Sequence, residues 1–123
     1  MSAMKDDKQD LKPVRSYLSP ILKDEICYGM MAGAIKYEAY NYLKGHKLSQ
    51  LMDAMERHLD AVRQGEWYDV DTSRRLGRPV THLGLVGCGL NMIFSQLDLG
   101  TLTDDRGEHL LNADFFLATI YKP

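Results

Sequence analysis

The residues best able to do chemistry gather in one stretch, RHLDAVRQGEWYDVDT at 57–72, which carries His58, Glu66, Asp69, Asp71 and the chain's single tryptophan across a helix exit at Gly65. Glu66, Asp69 and Asp71 follow the C-terminal end of a helix, where the negative end of the dipole disfavours carboxylates. That placement predicts a compensating cation. Hard divalent ions such as Mg²⁺ or Mn²⁺ take several oxygen ligands and leave positions for water and phosphate oxygens. His58 before this stretch and His82 after it flank the same acidic segment, so folding back of the segment would bring the two rings together. The competing reading is that Gly65 ends the helix and the rest is a solvated loop. Asp53, Glu56 and Asp60 share one face of the same helix. Glu56 and Asp60, four apart and of like charge, repel mildly unless a cation lies between them, whereas Asp53 and Arg57 form a pair worth only about 0.2–0.5 kcal/mol. Lys36, Tyr37 and Asn41 stand near the end of the preceding helix, where they read equally as a snorkelling lysine, a core tyrosine and a helix-end amide. Arg74, Arg75 and Arg78 read as charges that keep a loop soluble.

Absent patterns remove several chemistries. GxxxxGK[ST], GxSxG and HExxH do not occur, and His58-Leu59-Asp60 is not an adjacent His-Asp pair. Cys27 and Cys88 lie in apolar segments without the spacing of a zinc knuckle or redox pair, which predicts two buried free thiols and suits a reducing cytosol.

These residues need elements to position them. Ser19-Pro20 reads as an N-cap with proline at the first helical position. Leu22, Ile26, Met30, Gly33, Tyr37 and Tyr40 then make one face of a helix that ends before Gly45. A second helix from about Ser49 to Gly65 presents Met52, Met55, Leu59 and Val62, with His58 on the border of that stripe. EWYDVDTSRRLGRPV, residues 66–80, shows no helical period and predicts a long, functional loop. A third helix from about Thr81 to Leu97 or Leu99 carries Leu83, Val86, Leu90, Ile93 and Leu97. Gly84, Gly87 and Gly89 within it each cost roughly 1 kcal/mol relative to alanine. Close helix approach would offset that, and the strip Gly84, Gly87, Cys88 also suggests a subunit interface in a homodimer or homotetramer. EHLLNADFFLATIY predicts a short fourth helix, although FFLATIY alone fits a strand.

The resulting fold class is all-α, a small helical bundle of three main helices plus a short C-terminal element. A chain of 123 residues is one domain. Residues 1–12 read as a disordered charged arm, 13–106 as the helical domain and 107–123 as an extension. A formal net charge of −2 gives no general attraction to polymeric nucleic acid. No stretch approaches the roughly 18 apolar residues of a membrane span.

The fragments GAIKYEAYNY (33–42), LMDAMERHLDAVRQGEWYDVDT (51–72), THL (81–83) and Asn91 resemble, in order and interval, the phage-encoded dATP/dGTP diphosphohydrolase family, relatives of the MazG-type all-α nucleotide pyrophosphohydrolases. That family carries GAxKY…NW, then DA..RH..A...GE..D.ESG, then HL…N on successive helices. The similarity covers roughly residues 12–98 and extends through LDLGTLTDDR to Arg106. Tyr42 replaces the tryptophan after Asn41, Asp71-Thr72 replaces Glu-Ser, and SRRLGRPV lengthens the loop.

The resemblance implies a MazG-like bundle that hydrolyses dATP/dGTP-like purine nucleoside triphosphates to monophosphate and pyrophosphate with Mg²⁺ or Mn²⁺, in a host cytoplasm. By motif position it implies catalytic roles for His58, Glu66 and Asp69, and metal ligation by Glu66 and Asp69 with Asp71 third. Asp53 and Glu56 are the only pair comparable to the ExxE of MazG-type relatives. Lys36, Arg57 and His82 would meet phosphate, with Tyr37, Asn41 and Asn91 completing the substrate-binding set. Two other classes stand beside this one: a non-catalytic phage protein that binds nucleotides or a host protein, and a purely structural helical oligomer.

Overall fold

The computed structural model describes residues 11–107. They form four α-helices and two 3-10 turns, with no strand among the described residues. The helices are α1 (Pro20–Lys36), α2 (Leu48–Arg63), α3 (Val70–Leu76) and α4 (His82–Leu99). The proposed C-terminal helix lies outside the described residues, as does most of the N-terminal arm.

Local chemistry sets the helix starts. Ser19 caps α1, its hydroxyl accepting from the Leu22 N–H, with Pro20 at the first position. Thr81 caps α4 through the Gly84 N–H. The start of α2 is tied down from afar: the Asp105 carboxylate accepts from the N–H and hydroxyl of Ser49, and Leu48 N–H donates to the Thr103 carbonyl. Residues 101–106 therefore belong to the domain rather than trailing from it.

α4 is the centre, and α1 and α2 each pack on it through its small residues. A Cβ on Gly87 would lie 2.5 Å from Ile26 Cγ1 of α1, and one on Gly89 would collide with Met55 of α2. Close approach thus accounts for the glycines, as expected. It also buries the strip Gly84, Gly87, Cys88 within the chain, with Glu25 and Ile26 of α1 against its glycines.

This packing corrects the apolar stripes. In α1 the buried residues are Gly29 and Ala32, whereas Leu22, Tyr37 and Tyr40 are exposed. In α2 Leu51 is buried and Met52 exposed, and in α4 Leu83 and Leu90 face outward. Helices that meet through small side chains put their close-packed face there, and larger apolar residues are pushed to its flanks. Cys88 is buried, with Sγ donating to the Ile26 carbonyl, but Cys27 is exposed. Two residues from buried Gly29, it falls on the opposite side of α1.

The first helix also ends earlier than its spacing suggests. Tyr37 leaves helical geometry (φ −113°, ψ −88°), and the chain turns through a left-handed Tyr40 into the 3-10 turn Asn41–Lys44. Gln96, fully buried on α4, anchors this linker: its amide donates to the Tyr42 carbonyl at 2.7 Å and its Oε1 accepts from the His46 N–H at 3.0 Å. Gly45 then passes against the Thr101 carbonyl with φ 112°, where a side chain would be both strained and blocked.

Candidate functional site

Asp69 and His82 are held by backbone before their side chains do anything. Residues 67–69 run antiparallel to 80–82: Asp69 N–H donates to the Val80 carbonyl at 2.9 Å, and His82 N–H to the Trp67 carbonyl at 3.0 Å, around a bridge between Tyr68 and Thr81. The segment between them is not a plain loop. It contains α3, capped at its start by Asp69 and closed by a left-handed Gly77. Ser73 staples it, donating its hydroxyl to the Asp69 carbonyl at 2.6 Å and accepting from Val80 N–H at 2.9 Å.

Asp69 divides its carboxylate between two tasks. Oδ1 accepts from the Thr72 N–H at 2.9 Å, and Oδ2 faces His58 Nδ1 at 3.9 Å and His82 Nδ1 at 3.7 Å. The two histidine Nδ1 atoms lie 2.9 Å apart. His58 comes from the last turns of α2, His82 from the first residue of α4, and the triangle is the group of possible metal ligands found among the described residues.

The electrostatics of the triangle are specific. Burial, then the neighbouring His82, holds the His58 pKa below its ordinary value, with Asp69 pulling the other way. Burial would raise the Asp69 pKa, but hydrogen bonding from Thr72 and the two histidines outweigh it and the net shift is downward. An ionised carboxylate therefore faces two imidazoles whose Nδ1 atoms converge at 2.9 Å, a contact that a proton on one ring or a shared cation satisfies. On its far side, His82 Nε2 is buried and has no hydrogen-bond partner among the described residues, its nearby acceptor being Glu66 Oε1 at 3.6 Å.

The expected residues sort accordingly. His58, Asp69 and His82 come together, and Glu66 stands behind His82, at the other ring nitrogen from Asp69. Glu66 and Asp69 thus do not converge as a carboxylate pair. Asp53, Glu56 and Asp71 are exposed and fall outside the triangle. Arg57, exposed beside His58, is near enough to lower its pKa. Lys36 is exposed, its Nζ 5.2 Å from the Tyr37 ring centre. Asn91 is nine residues along α4 from His82, about 13 Å by helix rise.

A cleft of about 620 Å³ opens beside His58, between α1 and α2 over α4, with Tyr37 and Asn41 among its lining residues. Tyr40, Met30, Met55 and Met92 also line it. Sequence spacing put Met30 and Met55 on the apolar stripes of their helices, since an apolar residue on a helix face gives the same signal over a cleft as over a core.

In comparisons with known proteins, no curated protein and no solved structure matches the chain. The model of one family does, over residues 2–106; its description is dATP/dGTP diphosphohydrolase, N-terminal.

Proposed function

The chain belongs to the dATP/dGTP diphosphohydrolase N-terminal family, and we propose that it hydrolyses purine deoxynucleoside triphosphates between the α- and β-phosphates, giving monophosphate and pyrophosphate, at a divalent metal held by His58, Asp69 and His82. The observation that carries this reading is the convergence of two imidazole nitrogens and one carboxylate oxygen within 4.8 Å of one another.

The donor set supports a metal on two counts. Ligand atoms about 2.0–2.2 Å from one ion lie about 3–3.6 Å apart, and separations of 2.9, 3.7 and 3.9 Å need only small side-chain shifts to reach that range. His82 ligating through Nδ1 would carry its proton on Nε2 and aim it at Glu66, the carboxylate-behind-histidine arrangement that fixes ring orientation at metal sites. Glu66 in this reading orients a ligand rather than serving as one. Two imidazoles suit Mn²⁺ or a similar borderline ion better than Mg²⁺, which prefers oxygen.

A bound ion of this kind neutralises phosphate charge and lowers the pKa of a bound water toward neutrality. The chain's own contribution is placement. Asp69, locked by Thr72 and Val80, fixes the carboxylate. Arg57 offers a guanidinium to phosphate oxygens at the exposed rim. Purified protein incubated with each nucleoside triphosphate and Mn²⁺ or Mg²⁺, with pyrophosphate resolved from orthophosphate, tests the reading: pyrophosphate and a deoxynucleoside monophosphate are expected, and orthophosphate release or no turnover overturns it.

A further inference from the structure

The apolar period of α4 does not run along the side on which α1 and α2 pack. Leu83, Val86, Leu90, Ile93 and Leu97 recur at spacings of three and four, and the helix carries no charged residue between Leu83 and Leu97. A stripe of that kind marks a face built for burial. Yet α1 and α2 take the side that carries Gly84, Gly87 and Gly89, while Leu83 and Leu90 stay 39% and 47% exposed. An apolar stripe left at the surface marks a place where something docks.

The chain itself leads to that face. Gly100, left-handed at φ 73°, ends α4, and Thr101 N–H donates back to the Gln96 carbonyl at 2.9 Å. Thr103 and Asp105 are then tied to the start of α2, Thr103 by its bridge to Lys47 and Asp105 by its carboxylate on Ser49. The described chain thus stops at Gly107 close to the Leu97 end of the stripe. Seven residues, 101–107, suffice to connect two neighbouring helices.

The segment that follows, EHLLNADFFLATIY at 108–121, matches the stripe in pattern and length. Leu110, Ala113, Leu117 and Ile120 recur at spacings of three, four and three. Fourteen residues of helix rise about 21 Å, as far as α4 rises from Leu83 to Leu97. Run antiparallel to α4, the four residues meet Leu97, Ile93, Leu90 and Val86 in that order.

We infer that residues 108–121 form an amphipathic helix that docks antiparallel on the outer face of α4 within the same chain. The tether decides between this occupant and a second copy of the chain, because a connection this short holds the segment at an effective concentration near millimolar.

Amide hydrogen exchange on the full chain, followed by mass spectrometry, tests the docking. In the wild type, exchange across 108–121 is slowed, to the same degree at low and high micromolar protein. Leu90→Lys puts a charge under the segment and removes the burial of one leucine, so exchange there accelerates about tenfold or more. Leu90 is half-exposed without the segment, so the variant keeps its α1 and α2 amides protected, which the same data verify. Met52→Lys, an equally exposed apolar site on α2, leaves 108–121 unchanged. Exchange across 108–121 at the rate of a free peptide in the wild type, or no acceleration in Leu90→Lys, overturns the docking. Protection that appears only as protein concentration rises assigns the face to a second copy and overturns it as well.

Discussion

Asp69 performs two separable jobs, and two substitutions pull them apart. Asp69→Ala removes both the cap on α3 and the oxygen facing the histidines. Asp69→Asn keeps a side-chain carbonyl for the Thr72 N–H, since asparagine caps as well as aspartate, but takes away the charged ligand. Losing the cap costs about 1 kcal/mol, which for a domain of this size lowers Tm by about 4–8 °C. Without metal, Asp69→Ala therefore melts several degrees below the wild type, and Asp69→Asn melts close to it. An ion that binds only the native state at 100 times its Kd adds about 2.7 kcal/mol, so Mn²⁺ raises the wild-type Tm by well over 5 °C. Neither variant shows that response. The assay is differential scanning fluorimetry with and without chelator. Full retention of the Mn²⁺ shift in Asp69→Asn would refute the assignment of Oδ2 to the metal.

Other consequences are open to simple measurement. Gly87→Ala gains up to about 1 kcal/mol in helix propensity, yet its Cβ would meet Ile26 at 2.5 Å, so the variant is destabilised overall by about 1 kcal/mol or more; a higher urea midpoint would contradict the close helix approach. Gly33→Ala, with nothing within 4 Å of the added Cβ, is stabilised by up to about 1 kcal/mol on the same assay. Burial pushes the Cys88 thiol pKa up to about 12 while Cys27 is exposed, so iodoacetamide at pH 8 gives one adduct, at Cys27, and equal labelling of both would be inconsistent with the packing. The lowered His58 pKa means that the unfolded chain binds more protons than the native one just below the ordinary value of 6.5. Stability of the chelator-treated protein is then full above pH 6.5 and falls as pH drops through the folded-state value; a urea midpoint that rises between pH 7 and 5.5 would contradict this.

Much of the fold is written in local signals, and the parts that are not have identifiable reasons. α2 and α4 follow from their apolar periods, with Gly65 past the end of one and Thr81 capping the other. α1 is overextended by spacing alone because Tyr37 and Tyr40 continue its period, and nothing in the pattern registers that the backbone has turned at Tyr37. α3 escapes because seven residues are too few to show a period; its signals were the capping Asp69 and the terminal Gly77. His58, Asp69 and His82 are each recognisable from residue type and order. Their relative roles are not, since the separation of Glu66 from Asp69 onto opposite nitrogens of His82 depends on the pairing of 67–69 with 80–82. The exposed Cys27 and the cleft-facing methionines share one cause: apolar composition does not say whether a helix face meets another helix or a void.

The central claim is that one ion is held by His58, Asp69 and His82 while it engages a nucleotide. Pulsed electron paramagnetic resonance on Mn²⁺-loaded protein with a non-hydrolysable deoxyadenosine triphosphate analogue reads both sides of that ion at once. Nitrogen couplings from two imidazoles together with ³¹P coupling are predicted, the nitrogen signals weakening in His58→Gln and His82→Gln. A ³¹P coupling with no imidazole nitrogen would place the metal elsewhere, among carboxylates such as Asp53 and Glu56, and would contradict the account.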